Sequence, residues 1–212
     1  MCNSYAAKSN YREYVEAFSE IRLPLVWPEA HSAPNLQPRD PVRPTDPAPI
    51  IRPHGPGGVE LAELRFGFRP GRPKAGPVIN YRSENRQFGR GRCLAPVSWF
   101  YEYTGQRSPK TRWKVTMPGQ AFFCLAGLWR PADRDWPESF TLLTVDSGSD
   151  LKPYHPRQVV PLRPDRWAAW IDGSAAEADL LRPSPAGDLL VEPAPRDPAA
   201  GDLGLSGRIS EI

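Results

Sequence analysis

The run Cys93-Leu94-Ala95-Pro96-Val97-Ser98-Trp99-Phe100-Tyr101-Glu102-Tyr103 carries one charge, Glu102, among ten uncharged and mostly apolar or aromatic residues. Such a run reads as a β-strand, and alternation puts Glu102 on the same face as Phe100. If that face is the inner one, the carboxyl is at least half-buried. Burial disfavours its charged form and raises its pKa, which suits a general acid near neutral pH. If the face is the outer one, Glu102 is an ordinary solvated strand residue.

Strands of similar type flank this run. Phe122-Phe123-Cys124-Leu125-Ala126-Gly127-Leu128 is apolar throughout and predicts a central strand buried on both faces within Ala121–Trp129. Val59–Phe68 alternates, as a half-buried strand does. Trp113–Met117 and Phe140–Val145 are further strands, and Val78-Ile79-Asn80 reads as a strand ending on a polar residue. His155 stands on a loop just before another strand, Val159–Leu162. Proline is abundant, 27 of 212 residues against an average near ~5%, which disfavours long helices and favours short strands joined by irregular loops. From Leu23 to Pro56 prolines recur every few residues, so this stretch reads as loop, with Ile50-Ile51 as a short strand. Three short helices are expected. One runs from Asn10 to Glu20, with Tyr11, Tyr14, Val15 and Phe18 on one face and Asn10 and Glu13 as a capping box. Another opens at Pro164 and carries Trp167 and Trp170, and the third is capped by Ser174 with Glu177. From Pro183 on the composition is Pro, Gly, Asp and Ala, and the last residues read as a disordered tail.

The net charge of +3 is unevenly spread. Arg65 to Arg92 holds eight basic residues against Glu84 alone, and from Asp172 onward eight acids face three arginines. A basic stretch interleaved with Phe66, Phe68, Tyr81 and Phe88 suits single-stranded nucleic acid, with arginines on phosphates and rings under bases, though it equally describes a solvated arginine-rich surface. The cysteines at 2, 93 and 124 lack metal-ligand spacing and read as reduced intracellular thiols. With no apolar run of membrane-spanning length and no secretory signal, a soluble, cytoplasmic protein is expected, without metal or cofactor.

The N-terminus, Met1-Cys2-Asn3-Ser4-Tyr5, offers chemistry that no internal cysteine has. Removal of Met1 leaves an α-amine and a thiol on one residue, with reference pKa values near ~7.7 and ~8.5. The amine can form a Schiff base with an aldehyde, and the sulfur can then close a thiazolidine ring on the same carbon. Taken singly, Cys2, Asn80, Glu102 and His155 also have structural readings: a chance cysteine, a turn asparagine, a strand glutamate, and a loop histidine held by Arg157.

Five motifs tie them together. Met1-Cys2-Asn3-Ser4-Tyr5, Phe66-Gly67-Phe68-Arg69-Pro70, Asn80-Tyr81-Arg82-Ser83-Glu84, Arg92-Cys93-Leu94-Ala95-Pro96 with Phe100-Tyr101-Glu102-Tyr103, and His155-Pro156-Arg157 before Val159-Val160-Pro161-Leu162 occur in the order of the SOS-response-associated peptidase family, the abasic-site shielding proteins. The chain resembles that family from residue 2 to about residue 192. It departs where the family has Gly-Arg after the cysteine (here Asn3-Ser4), a Trp in place of Phe66 and an Ala in place of Tyr81.

The resemblance implies an α+β fold, a single domain over residues 2–192 on a mainly antiparallel, curved, barrel-like sheet with a few short peripheral helices, and a tail over 193–212. It implies that Cys2, freed of Met1, shields abasic sites in single-stranded DNA as a covalent thiazolidine. Asn80 would orient Cys2, Glu102 would shuttle protons, and His155 would act on the opened sugar or its phosphate. Arg82 and Arg157 would hold phosphates, and Phe66, Phe68, Arg69, Tyr81, Arg86 and Trp99 would complete the DNA contact. A monomer is expected, cytoplasmic and nucleoid-associated when bound to DNA. Two other classes stay open: a cysteine-type, self-processing peptidase using Cys2 and His155 with Glu102 or Asn80, and a non-catalytic single-strand-binding module.

Overall fold

In a computed structural model describing residues 2–27, 36–107 and 109–196, the run from Cys93 to Tyr103 is two strands that belong to different sheets. Their elements, in chain order, are β1 (Ser4–Ala7), α1 (Tyr11–Glu20), β2 (Leu25–Val26), β3 (Arg39–Val42), β4 (Pro47–His54), β5 (Gly58–Phe66), β6 (Asn80–Arg82), β7 (Arg92–Val97), β8 (Trp99–Thr104), β9 (Thr111–Thr116), β10 (Phe123–Arg130), β11 (Ser139–Asp146), β12 (Arg157–Val159), β13 (Pro161–Leu162), α2 (Pro164–Asp172), α3 (Glu177–Leu180) and β14 (Leu190–Pro193). The chain crosses between sheets at Ser98, whose N–H donates to the Ala6 carbonyl at 2.8 Å and so ties the corner to β1.

The larger sheet has the order β12-β11-β10-β7-β4-β5-β2, and a parallel pairing of β11 with β5, Ser139 to Arg65 and Phe140 to Phe66, closes it into a ring. The smaller sheet, β14-β9-β8-β1-β3, shares one core with it, where Tyr5, Phe100 and Val115 join Phe66, Ala95 and Phe123. The fold is therefore α+β, with mostly antiparallel, curved sheets and a few short helices in a single domain.

The apolar run in β10 is explained by burial on both sides. Phe123 and Leu125 face the core between the sheets; Cys124, Ala126 and Leu128 face a second core under the helices. β7 behaves likewise, with Cys93, Ala95 and Val97 facing inward and Leu94 outward. That second core is roofed by α1 and α2. Tyr14 and Phe18 of α1 are wholly buried, Phe18 stacking on Trp167 of α2 at 4.8 Å between ring centroids. Each such ring contributes roughly 2–3 kcal/mol. The expected capping box is present: Glu13 N–H donates to Asn10 Oδ1 at 3.1 Å and Asn10 N–H to Glu13 Oε2 at 2.7 Å.

Three expectations change. The proline-rich stretch 23–56 is not all loop: it contains β2, β3 and the eight-residue β4. Pro47, Pro49 and Pro53 fall at alternate positions of β4, together with Ile51, whose pairing with Leu94 is the single register point between β4 and β7. Proline has no N–H to donate, so it is tolerated on the side where ladder bonds are not made, while β4 pairs with β5 along its whole length. Second, Ser174 does not cap α3, which starts from Ala176 without a side-chain cap. The Glu177 carboxylate is engaged elsewhere, accepting from Phe88 N–H at 2.7 Å and Arg92 Nη2 at 2.6 Å. Third, the Pro, Gly and Asp-rich end contains β14, which runs to Pro193 opposite Trp113, and Ala194 N–H donates to the Arg112 carbonyl at 2.9 Å. Most of the expected tail, residues 197–212, lies outside the described residues, as does Met1. Among the described residues, no helix is long and apolar enough to cross a membrane.

Candidate active site

β1 brings Cys2 to Glu102. Its antiparallel register with β8, Ser4 to Tyr101 and Tyr5 to Phe100, runs the chain's start along the strand that carries the glutamate. Cys2 and Glu102 are both wholly buried, so Glu102 is on the inner face with Phe100 and is buried more deeply than half. The backbone N–H of Cys2 lies beside the Glu102 carboxylate and favours its charged form. Burial, the largest influence, nevertheless pushes the Glu102 carboxyl above its ordinary range, against the lowering effect of its hydrogen-bond donors.

Asn80 holds the other side of Cys2. Its strand, β6, lies along β11 with Asn80 opposite Leu142, and its Nδ2 donates to the Cys2 carbonyl at 2.8 Å. Phe66-Gly67-Phe68 leads the chain from β5 toward β6. Gly67 has a φ of 115°, and a Cβ there would lie 2.7 Å from Pro77 Cβ, so glycine alone fits this turn. Asn80 Oδ1 is buried and has no hydrogen-bond partner among the described residues. An orphaned acceptor of this kind costs about 1–3 kcal/mol.

The Cys2 sulfur is not paired with an imidazole. Sγ donates to the Ser4 carbonyl at 3.5 Å, and burial, reinforced by the Glu102 charge, drives the thiol's pKa far above its ordinary value. The reference pKa of a free thiol does not carry over to this environment, because a thiolate there would be dry and beside a carboxylate. The Ser4 hydroxyl lies 3.3 Å from Tyr103 Oη, so the residue standing in the family's arginine position faces an internal partner.

His155 is fixed separately. It ends a turn closed by Tyr154 N–H and His155 N–H on the Leu151 carbonyl at 2.9 and 3.0 Å. Its Nδ1 lies 3.0 Å from both the N–H and the carbonyl of Arg157. The route from His155 to Glu102 runs through two rings: Trp113 is the cross-strand neighbour of Glu102, and its centroid lies 4.7 Å from that of Tyr154. Neither ring stands out in the sequence, because both depend on the β8–β9 register and on how the loop after β11 folds back.

Several expected DNA contacts sit elsewhere. Phe66 and Phe68 are core residues, 0% and 2% exposed, with Phe66 stacked on Phe140 and edge-on to Tyr5; neither ring can lie under a base. Arg157 is buried and engaged through both terminal nitrogens, which bind the two Glu84 oxygens, Asp146 Oδ1 at 3.0 Å, and Thr144 O and Oγ1 at 2.9 and 3.0 Å. It braces β12 against β11 and the turn after β6, and is not available to hold a phosphate. Arg69 pairs with Asp133 and Asp135. Trp99 points from the opposite face of β8 to Glu102, beneath Lys114 Nζ at 4.2 Å from the ring centroid. Tyr81 likewise points from the opposite face of β6 to Asn80, with Arg86 over its ring at 4.6 Å. Arg82 is exposed and shares the Asn80 face of its strand. Among the described residues, no group of three or more His, Cys, Asp or Glu is placed to hold a metal ion.

Comparison with known proteins agrees with these motifs. A phage-related protein from Bordetella bronchiseptica is 23% identical and superposes with a TM-score of 0.68, covering 92% of this chain and 95% of that one. A second protein from the same organism is 23% identical with a TM-score of 0.67, covering 92% of this chain and 100% of that one. A Bacteroides thetaiotaomicron protein is 18% identical with a TM-score of 0.68, covering 91% of each chain. At these identities the likeness establishes the fold alone. No curated protein matches the sequence. The model of one family, SOS response associated peptidase (SRAP), matches residues 1–197, nearly the whole chain, and the protein belongs to that family, with the SOS-associated, DNA-directed function that membership implies.

Proposed function

We propose that this protein shields abasic sites in single-stranded DNA by a covalent bond through Cys2 after loss of Met1. The carrying observation is the fixing of Cys2 from two sides, its nitrogen against the Glu102 carboxylate and its carbonyl on Asn80 Nδ2 at 2.8 Å. Once Met1 is removed, that nitrogen is the α-amine. It attacks the C1′ aldehyde of the ring-opened sugar to give a carbinolamine. Glu102, whose hold on a proton burial strengthens, gives a proton to the departing hydroxyl, and water leaves as the iminium forms. The Cys2 sulfur then adds to the same carbon, its proton passes to the Glu102 carboxylate, and the nitrogen ends as a secondary amine in a thiazolidine. Amine and aldehyde lose one water overall, and no oxidant or metal enters the balance. A thiol held neutral until this point is protected from oxidation, since thiolates are the reactive form.

In this reading His155, on a turn held by hydrogen bonds to the Leu151 carbonyl, acts on the sugar's O4′ or the adjoining phosphate. Arg82, exposed and on the Asn80 face of β6, is suited to a flanking phosphate. A thiolate–imidazole peptidase is the weaker reading, because the sulfur faces the Ser4 carbonyl.

The test is a denaturing gel of the protein with an abasic oligonucleotide, paired with intact mass measurement. The expected result is a shifted band whose mass is protein without Met1 plus DNA minus one water, absent in Cys2→Ala. A band that persists in Cys2→Ala, or a wild-type protein that retains Met1 and forms none, would overturn the proposal.

A further inference from the structure

Two large rings beside the site belong to neither hydrophobic core. Trp113 and Tyr154 are partly exposed, and neither packs in the core between the sheets or in the one beneath the helices. They pack on each other, at 4.7 Å between centroids and 59° between planes. Trp113 lies directly across the β8–β9 ladder from Glu102, and side chains at paired positions share a face, so its ring stands on the Glu102 side of the sheet. Trp113 Nε1 donates to Thr104 Oγ1 at 2.8 Å, which fixes the ring's orientation. Tyr154 immediately precedes His155 in a turn held by its own N–H on the Leu151 carbonyl. An aromatic pair anchored by hydrogen bonds, partly exposed, and set between a buried acid and a histidine is not needed to fill a core.

We infer that the Trp113–Tyr154 pair is a stacking platform for the nucleobase next to the lesion. The inference rests on the abasic-site reading and adds what that reading lacks, since Phe66 and Phe68 are buried and cannot stack. A base lying on this platform sets its neighbouring sugar one nucleotide away, at the Glu102–Cys2 end of the site. The rings are positioning residues: they recognise any base by its π-face and take no part in bond making.

The experiment compares three abasic oligonucleotides in single-turnover crosslinking with wild-type protein. One has ordinary bases on both sides of the lesion; the others replace the 5′ or the 3′ neighbour with a baseless tetrahydrofuran spacer. Loss of the stacked base should raise the DNA concentration for half-maximal rate about 5- to 100-fold for one side only, leaving the rate at saturation unchanged. Trp113→Ala should abolish that preference, giving one half-maximal concentration for all three DNAs, and Tyr154→Ala should reduce it, while Tyr154→Phe keeps it. Thermal unfolding of each variant separates misfolding from lost stacking; if Trp113→Ala does not fold, Tyr154→Ala against Tyr154→Phe decides. A wild type indifferent to both spacers, or folded ring variants that still prefer the natural neighbour, overturns the inference while leaving the crosslink intact. A wild type that crosslinks none of the DNAs overturns the parent reading as well.

Discussion

The basic stretch from Arg65 to Arg92 and the buried polar group around Cys2 differ in how their polar atoms are matched. In the sequence the first looks functional and the second hardly shows. In the structure much of the basic charge is neutralised or laid on rings: Arg92 binds Glu177 and covers Trp170, Arg69 pairs with Asp133 and Asp135, and Arg65 lies over Trp136. Around Cys2 the reverse holds. A carboxyl, a thiol and an amide are carried into a dry interior, and the amide oxygen lacks a partner among the described residues. Exposed pairs such as those of Arg69 stabilise by about 0–1 kcal/mol and carry little information. Buried polar groups cost more than that unless matched, so incomplete matching inside a core is the better sign of a site.

The largest expected effect on this contrast comes from Glu102→Gln. Removing the proton shuttle should slow adduct formation about 100- to 10,000-fold, measured under single-turnover conditions, with DNA binding unchanged. Weakened binding at an unaltered rate would make Glu102 a structural residue. The same substitution has an opposite effect on the fold. The Glu102 carboxyl is raised in the folded state, so the unfolded chain loses that proton first as pH rises. Stability therefore falls between the ordinary carboxylate range and the raised value, and stays lower above it. Glu102→Gln should melt higher than wild type at neutral pH, the difference closing as pH drops below the ordinary carboxylate value. Equal melting curves at all pH values would show that the carboxyl's environment is not costly.

Arg157→Ala sharpens the other side of the comparison. It removes the brace on Glu84, Asp146 and Thr144, whose acids are partly or largely exposed. About 2 kcal/mol of stability should be lost, given charge-assisted bonds discounted for exposure, with the salt dependence of DNA binding unaltered. A shallower salt dependence would return Arg157 to the phosphates.

The smallest effect is expected for Arg82→Ala. If Arg82 neutralises one phosphate of a single strand, the slope of log affinity against log salt should become shallower by about 0.7. Arg69→Ala, whose charge already faces two aspartates, should leave the slope unchanged. Equal changes in both variants would mean that the whole basic stretch acts as a diffuse field.

What could be read directly from residues is local. The capping box of Asn10 and Glu13, the two-sided burial of β10 and the Pro164 start of α2 follow from neighbour chemistry and period, which the chain states within a few residues. The strand β4 was hidden because its prolines signal loop, and only the pairing with β5 shows which N–H groups could be dispensed with. Motif order placed Cys2, Asn80, Glu102 and His155 in one family pattern, but not in space.

Sequence alone therefore determined the strand-rich character, because alternation and proline content state it locally, and the family, because the order of its motifs is a property of the chain itself. Tertiary structure decided which side of β8 is dry, that the Cys2 nitrogen meets Glu102 while its sulfur meets a carbonyl, that Arg157 is a brace, and that Trp113 and Tyr154 meet beside the acid. Each of these depends on register and on contacts between residues far apart in the chain. A shift of one residue in a strand would turn every one of its side chains to the other face.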